Sequence, residues 1–142
     1  RSTKNCICQF GWVRSYTRGH KIQEKYYLNT AASLIHRSIS EMVEIVNNYS
    51  GKTDTVYGLA GLGDLYVSVS GGRNSKMGKY LGQGYLYKEA KEKFMKNITV
   101  EGAELALEIG PKLMTKFDKH KFPLLFSILE CICENKKLQI HW

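Results

Sequence analysis

The stretch from Gly58 to Gly84 constrains the fold of this chain most, because glycines divide it into short pieces. It reads GLAGLGDLYVSVSGGRNSKMGKYLGQG, and a Gly-Gly pair directly precedes Arg73 and Asn74, where a helical pattern begins. Glycine tolerates positive φ and lets the backbone approach a ligand closely. A guanidinium binds oxyanions through parallel hydrogen bonds, and a helix start adds free N–H groups and partial positive charge. The stretch therefore predicts a phosphate-ester site at Arg73 and Asn74, with Asp64 nearby.

A plainer interpretation of the same stretch stays open, since many glycine-rich loops only connect helices and an exposed arginine is usually solvated. The glycines at the start of the stretch are spaced GxxGxG, and no GxxxxGK[ST] pattern occurs in the chain. Dinucleotide-binding loops are spaced GxGxxG and follow a strand. A phosphate bound here would therefore depend on arginine and a helix start.

Length and charge limit the classes of protein and of partner. The chain has 142 residues, which predicts one domain, and a formal net charge of +8, which suits an anionic partner. Basic and aromatic residues alternate in residues 1–28. That mixture is typical either of single-stranded nucleic-acid binding or of an ordinary amphipathic helix, and the helix is favoured. No apolar run approaches the roughly 18 residues of a membrane-spanning helix, so no membrane partner is expected.

The four cysteines form two Cys-x-Cys pairs, Cys6/Cys8 and Cys131/Cys133. Zinc sites favour Cys-x-x-Cys spacing, and residues two apart on a helix do not face each other. The spacing predicts buried free thiols and no metal site.

Apolar periodicity predicts a series of helices. The clearest covers Asn29–Asn48, and the last begins at Pro123, because proline is favoured in the first turn of a helix. Asp54 is expected to cap a short helix through Leu59, and Pro111 to kink or break a helix that runs to about Phe117. Residues 65–70 alternate weakly as a strand would. Further helices are expected at 75–81 and 86–96.

Several motifs, in order, resemble those of NAD-dependent glycerol-3-phosphate dehydrogenase, in its C-terminal, substrate-binding half. The resemblance extends from about Asn29 to Glu134. The motifs are Asn29–Met42, Gly58–Leu65, Gly72–Asn74, Leu81–Gly84, Val100–Gly102 and Lys121–Leu124. The resemblance implies an all-α, multi-helix domain similar to the C-terminal domain of 6-phosphogluconate dehydrogenase, and it makes residues 65–70 helical. Residues 1–142 would form this domain, with a dinucleotide-binding domain upstream and absent from this chain.

The resemblance also implies a reaction, the interconversion of sn-glycerol 3-phosphate and dihydroxyacetone phosphate by hydride transfer with NAD or NADP. Lys4 matches the lysine that accepts the proton, and Asp64 would orient it or bind the substrate hydroxyls. The other residues implied are Asn5, Ser68, Gly72, Arg73 and Asn74 for the substrate, and Arg73, Thr99 and Glu101 for the cofactor.

A cytoplasmic homodimer is the expected context, and the chain by itself is expected not to turn over. Two alternatives stay open at this point. One is a basic helical module that binds nucleic acid, and the other is a helical domain that kept the fold and lost the chemistry. Salt dependence would distinguish the first, because a protein that contacts several nucleic-acid phosphates loses affinity steeply as salt rises.

Overall fold

The computed structural model describes residues 28–141, which are all-α as the sequence predicts. This part of the chain contains seven α-helices, one π-helical turn and no strand. The helices are α1 Leu28–Asn48, α2 Asp54–Tyr57, α3 Asp64–Ser70, α4 Arg73–Gly82, α5 Tyr87–Phe94, α6 Glu101–Lys116 and α7 Pro123–Cys133, and the π-helical turn is Leu59–Gly63. Residues 64–70 are thus helical despite their strand-like alternation.

Helix α7 forms the centre of the core. Its residues 123–129 are all buried, together with Cys131 and Ile132, because the helix is apolar on nearly every side. It packs against α1, α5 and α6. Proline occupies its first position, as predicted, where the missing N–H has no helical partner to lose.

The starts of α5, α6 and α7 share a feature that their own sequences do not supply. Each is preceded by an apolar residue, and none of these has a side chain that can cap the helix: Leu86, Val100 and Phe122. Side chains from distant segments accept the free N–H groups instead. The pairs are Lys88 N–H to Asn135 Oδ1 (2.9 Å), Gly102 N–H to Asn74 Oδ1 (3.1 Å), and Leu124 and Leu125 N–H to Glu41 (3.0 and 2.9 Å).

Glu41 is a buried carboxylate that joins α1 to the start of α7. It is 1% exposed, and each of its two oxygens accepts one backbone N–H of α7. Arg37, one turn earlier, donates its Nε to the same carboxylate at 3.2 Å. Burial raises the pKa of Glu41, and the hydrogen bonds from α7 and Arg37 oppose that rise. Glu41 lies on the apolar stripe of α1 between Leu34 and Ile45, and that position was the one signal in the sequence that pointed to it.

Helix α6 is continuous through Pro111, so the helix is not broken near Gly110 as the sequence suggested. Proline cannot donate to the carbonyl of Leu107, but Leu107 and Pro111 are both exposed, so water can bind that carbonyl. The opposite face is held against α7. There a Cβ on Gly110 would lie 2.7 Å from Cys133 Sγ, which shows how closely the two helices approach.

The start of α2 also differs from the prediction. The residue before the helix is Thr53, and Asp54 is the first residue within it. Neither side chain caps the helix. Asp54 instead places its negative charge in the first turn, where the helix dipole favours it.

The C-terminal segment is an ordered tail that returns to the core. Leu138 is buried, and the His141 N–H donates to the Oγ of buried Ser127 at 2.9 Å. Beside it, Lys119 Nζ contacts Glu130 Oε1 at 2.5 Å. Burial acts to raise the pKa of Glu130, but Lys119, with help from His141 and Lys136, outweighs it and lowers that pKa.

Both cysteines of α7 are free thiols, as the sequence predicts. Burial raises the pKa of Cys131 to about 12, and that of Cys133 also rises. Cys6 and Cys8 lie outside the described residues. Between residues 28 and 141, no helix is both long and apolar enough to cross a membrane.

Candidate functional site

The starts of α4 and α6 lie side by side and bring together residues that are 28 positions apart in the sequence. The Nη2 of Arg73 donates to Glu101 Oε1 at 2.5 Å, and the Gly102 N–H donates to Asn74 Oδ1 at 3.1 Å. The sequence predicted a phosphate-binding role for the first segment and a cofactor role for Glu101. It did not predict that the two segments touch.

The start of α4 depends on the backbone of Gly72. This residue has φ +104° and ψ 178°, a region that residues with side chains rarely adopt. A Cβ there would meet no atom within 4 Å, so the requirement for glycine is conformational and not steric. The start of α4 lies next to Arg73 and carries the partial positive charge of a helix N-terminus, which favours a bound anion.

Asn74 is half-buried and its amide orientation is set by α6. Its oxygen accepts the Gly102 N–H and so is used within the protein. The Nδ2 group makes no hydrogen bond with residues 28–141 and is left to donate. Gly102 is buried against this amide, where a Cβ would lie only 3.1 Å from Asn74 Oδ1. The contact therefore leaves the amide nitrogen of Asn74, and not its oxygen, to bind a ligand.

Arg73 and Glu101 form an exposed ion pair, with side chains 52% and 64% exposed. Within residues 28–141 the guanidinium makes only this one hydrogen bond, through Nη2, so its remaining N–H groups can bind an oxyanion. Lys76 and Lys79 follow on the same helix and add positive charge.

Asp64 and Ser68 lie on α3, which packs against α4. Both are half-buried and, four residues apart, share one face of the helix. Asp64 follows the π-helical turn, and such turns are frequent at functional sites. Gly61 in this turn must be glycine, because a Cβ would lie 2.0 Å from the Val56 carbonyl oxygen.

The structure brings some of the predicted residues together and leaves others apart or outside the described residues. Arg73, Asn74 and Glu101 are brought together, while Thr99 is exposed in the segment that leads into α6. Lys4 and Asn5 lie outside the described residues. No group of three or more potential metal ligands occurs between residues 28 and 141.

Large apolar side chains are exposed around Asp64, on the segment from α2 to α3. They are Tyr57, Leu59, Leu62, Tyr66 and Val67, and Leu59 is 88% exposed. A run of exposed apolar residues on one segment is typical of a surface that another protein or domain covers.

Residues 16–141 match the family described as NAD-dependent glycerol-3-phosphate dehydrogenase C-terminus. The NADP(+)-dependent glycerol-3-phosphate dehydrogenase of Archaeoglobus fulgidus is 32% identical over 90% of this chain, and a glycerol-3-phosphate dehydrogenase [NAD(P)+] of Agathobacter rectalis is 34% identical over 76%. The chain spans 37% and 32% of the length of these two relatives. These relatives support the dehydrogenase interpretation, and none of them favours the nucleic-acid-binding alternative.

Two solved structures have similar folds. Glycerol-3-phosphate dehydrogenase from Coxiella burnetii is 27% identical, with a TM-score of 0.71. The matched region is 97% of this chain and 40% of that enzyme's chain. The enzyme from Saccharomyces cerevisiae has the same TM-score at 20% identity, and the matched region is 96% of this chain and 38% of that enzyme's chain. At this identity the match shows a shared fold and nothing more. With the family match and the helical architecture, this chain belongs to the NAD-dependent glycerol-3-phosphate dehydrogenase C-terminal family.

Proposed function

We propose that this chain is the substrate-binding part of a glycerol-3-phosphate dehydrogenase. The complete enzyme would interconvert sn-glycerol 3-phosphate and dihydroxyacetone phosphate, with NAD or NADP as the hydride carrier. The observation that carries the proposal is the meeting of the α4 and α6 starts, where Arg73, Asn74 and Glu101 lie together.

The substrate phosphate would bind at the start of α4. Arg73 would supply charged donors, Asn74 would supply its Nδ2 group, and the start of α4 would add its partial positive charge. Each hydrogen bond to a charged group contributes roughly 1.5–3 kcal/mol. Loss of Arg73 should therefore weaken phosphate binding by about tenfold or more.

The proton from the C2 hydroxyl would pass to Lys4 as the hydride leaves the same carbon. In the reverse direction Lys4 would return that proton to the ketone oxygen. A lysine must be neutral to accept a proton, and a nearby carboxylate such as Asp64 favours its charged form. Desolvation or a second cation would then have to offset Asp64, while Asp64, Ser68 and Asn5 hold the substrate hydroxyls.

The cofactor would lie between this domain and an upstream dinucleotide-binding domain. Arg73, Thr99 and Glu101 would face it from this side. The exposed apolar side chains around Asp64 suit a surface that the other domain covers, which would also exclude water from the reaction. We expect a cytoplasmic homodimer, and we expect no cofactor reduction by the 142-residue chain alone.

The test of the phosphate site is a titration with dihydroxyacetone phosphate followed by amide NMR. We expect shifts at Gly72–Ser75 that are lost in Arg73→Ala. Lys76→Ala is the matched control, because it removes an exposed positive charge one turn further along the same helix. Equal losses in both variants would indicate non-specific attraction and contradict the proposal.

The role of Lys4 is tested in a protein that joins this chain to the proposed upstream dinucleotide-binding domain. Lys4→Ala should lower kcat strongly and leave the affinity for the substrate phosphate nearly unchanged, because a proton acceptor acts in the transition state. An unchanged kcat would contradict the assignment of Lys4.

A further inference from the structure

We propose that Glu101 competes with the ligand phosphate for Arg73 and so sets the affinity of the phosphate site. The inference rests on the proposed function, because it concerns the same site. It treats Glu101 as an internal anion that occupies the guanidinium when no ligand is bound, in addition to any contact that Glu101 makes with a cofactor.

The position of the contact on the guanidinium supports competition. An arginine has two edges that can bind an oxyanion with two parallel hydrogen bonds, and Nη2 belongs to both edges. Glu101 Oε1 lies 2.5 Å from that shared nitrogen. A phosphate on either edge would therefore lie beside the carboxylate of Glu101, and the two negative charges would repel each other. The ligand must displace Glu101 or bind against its charge.

The exposure of the pair sets the size of the effect. Both side chains are more than half exposed, and ion pairs in water contribute little. A phosphate can displace such a partner, and the competitor lowers affinity by only about two- to fivefold. A ligand can therefore displace Glu101 from Arg73, and the resulting change in phosphate affinity is large enough to measure.

A structural role for Glu101 predicts the opposite result. If the carboxylate served to hold Arg73 in the binding position, its removal would weaken phosphate binding. Glu104 provides a matched comparison, because it is a second exposed glutamate in the first turn of the same helix and has no ion pair within residues 28–141. Glu101→Gln and Glu104→Gln change the net charge equally and alter the same turn.

The experiment is a titration of the chain with inorganic phosphate at constant low salt, followed through the amides of Gly72–Asn74. We expect Glu101→Gln to bind about two- to fivefold more tightly than the wild type, and Glu104→Gln to change affinity less. The double variant Arg73→Ala/Glu101→Gln should lose the gain. Unchanged spectra for the core amides would show that each variant is folded.

Two results would overturn the inference, and they differ in what else they imply. If the wild type binds phosphate and Glu101→Gln binds equally or more weakly, Glu101 is not a competitor, while the proposed phosphate site stands. If neither the wild type nor Glu101→Gln binds phosphate at the α4 start, the inference and the proposed site both fail.

Discussion

Replacement of Glu41 by alanine should be among the most destabilising changes in this chain. The variant leaves the N–H groups of Leu124 and Leu125 without their acceptors at a position that is 1% exposed. A buried donor left unpaired costs about 1–3 kcal/mol. Arg37 also loses its partner, but its side chain is 38% exposed and water can hydrate it. Two such buried donors give an expected loss of about 2–6 kcal/mol.

Urea denaturation followed by circular dichroism measures this loss. With a denaturant slope of about 2 kcal/mol/M, the midpoint should fall by roughly 2 M, a large part of the stability of a domain this size. Glu41→Gln keeps one acceptor oxygen and should lie between Glu41→Ala and the wild type. Glu44→Ala is the control, because Glu44 is exposed on the same helix. If Glu41→Ala lies within about 1 kcal/mol of the wild type, the carboxylate does not hold α7.

Four other residues should give smaller effects, each of which tests one feature of the structure. Gly72→Ala should lose about 1–3 kcal/mol in the same urea assay, because of its φ of +104°, whereas Gly71→Ala, at φ 179°, should match the wild type. Asn74→Asp keeps the acceptor for α6 but loses the amide donor, so it should fold normally and bind phosphate more weakly by NMR titration; binding equal to the wild type would contradict the donor role. Glu130→Gln should be less stable than the wild type at neutral pH. That gap should close as pH falls from 4.5 through the lowered pKa of Glu130, because protonation then removes the advantage; a gap that is constant with pH would refute it. Cys131, whose pKa burial raises to about 12, should resist alkylation in the native chain and react after unfolding, as peptide mass spectrometry would show.

The sequence predicted the positions of the helices better than the contacts between them. Apolar periodicity located α1 to within one residue, since a helix that packs on a core must repeat its apolar face locally, and proline located the start of α7. Pro111 was misleading, because α6 continues through it; the carbonyl that it cannot bond belongs to exposed Leu107, where water can reach it. Residues 65–70 alternate weakly, as a strand would, but they form helix α3, which packs against α4.

The candidate site was predicted residue by residue but not as an arrangement. Arg73 and Asn74 were identified from the turn chemistry and the family motifs around them, and Glu101 from the family motif alone. The ion pair between Arg73 and Glu101, and the use of Asn74 Oδ1 by α6, follow only from the approach of two helix starts. No local pattern encodes that approach.

The sequence by itself determined the helical class, the family and the glycines that shape the start of α4, because each is a property of neighbouring residues. The tertiary structure alone decided which groups cap the starts of α5, α6 and α7. Their preceding residues are apolar and cannot cap a helix, so the N–H groups depend on Asn135, Asn74 and Glu41 from elsewhere in the chain. A hydrogen bond between distant segments exists only once the core has brought them together, and for that reason it leaves no signal in the sequence beside either partner.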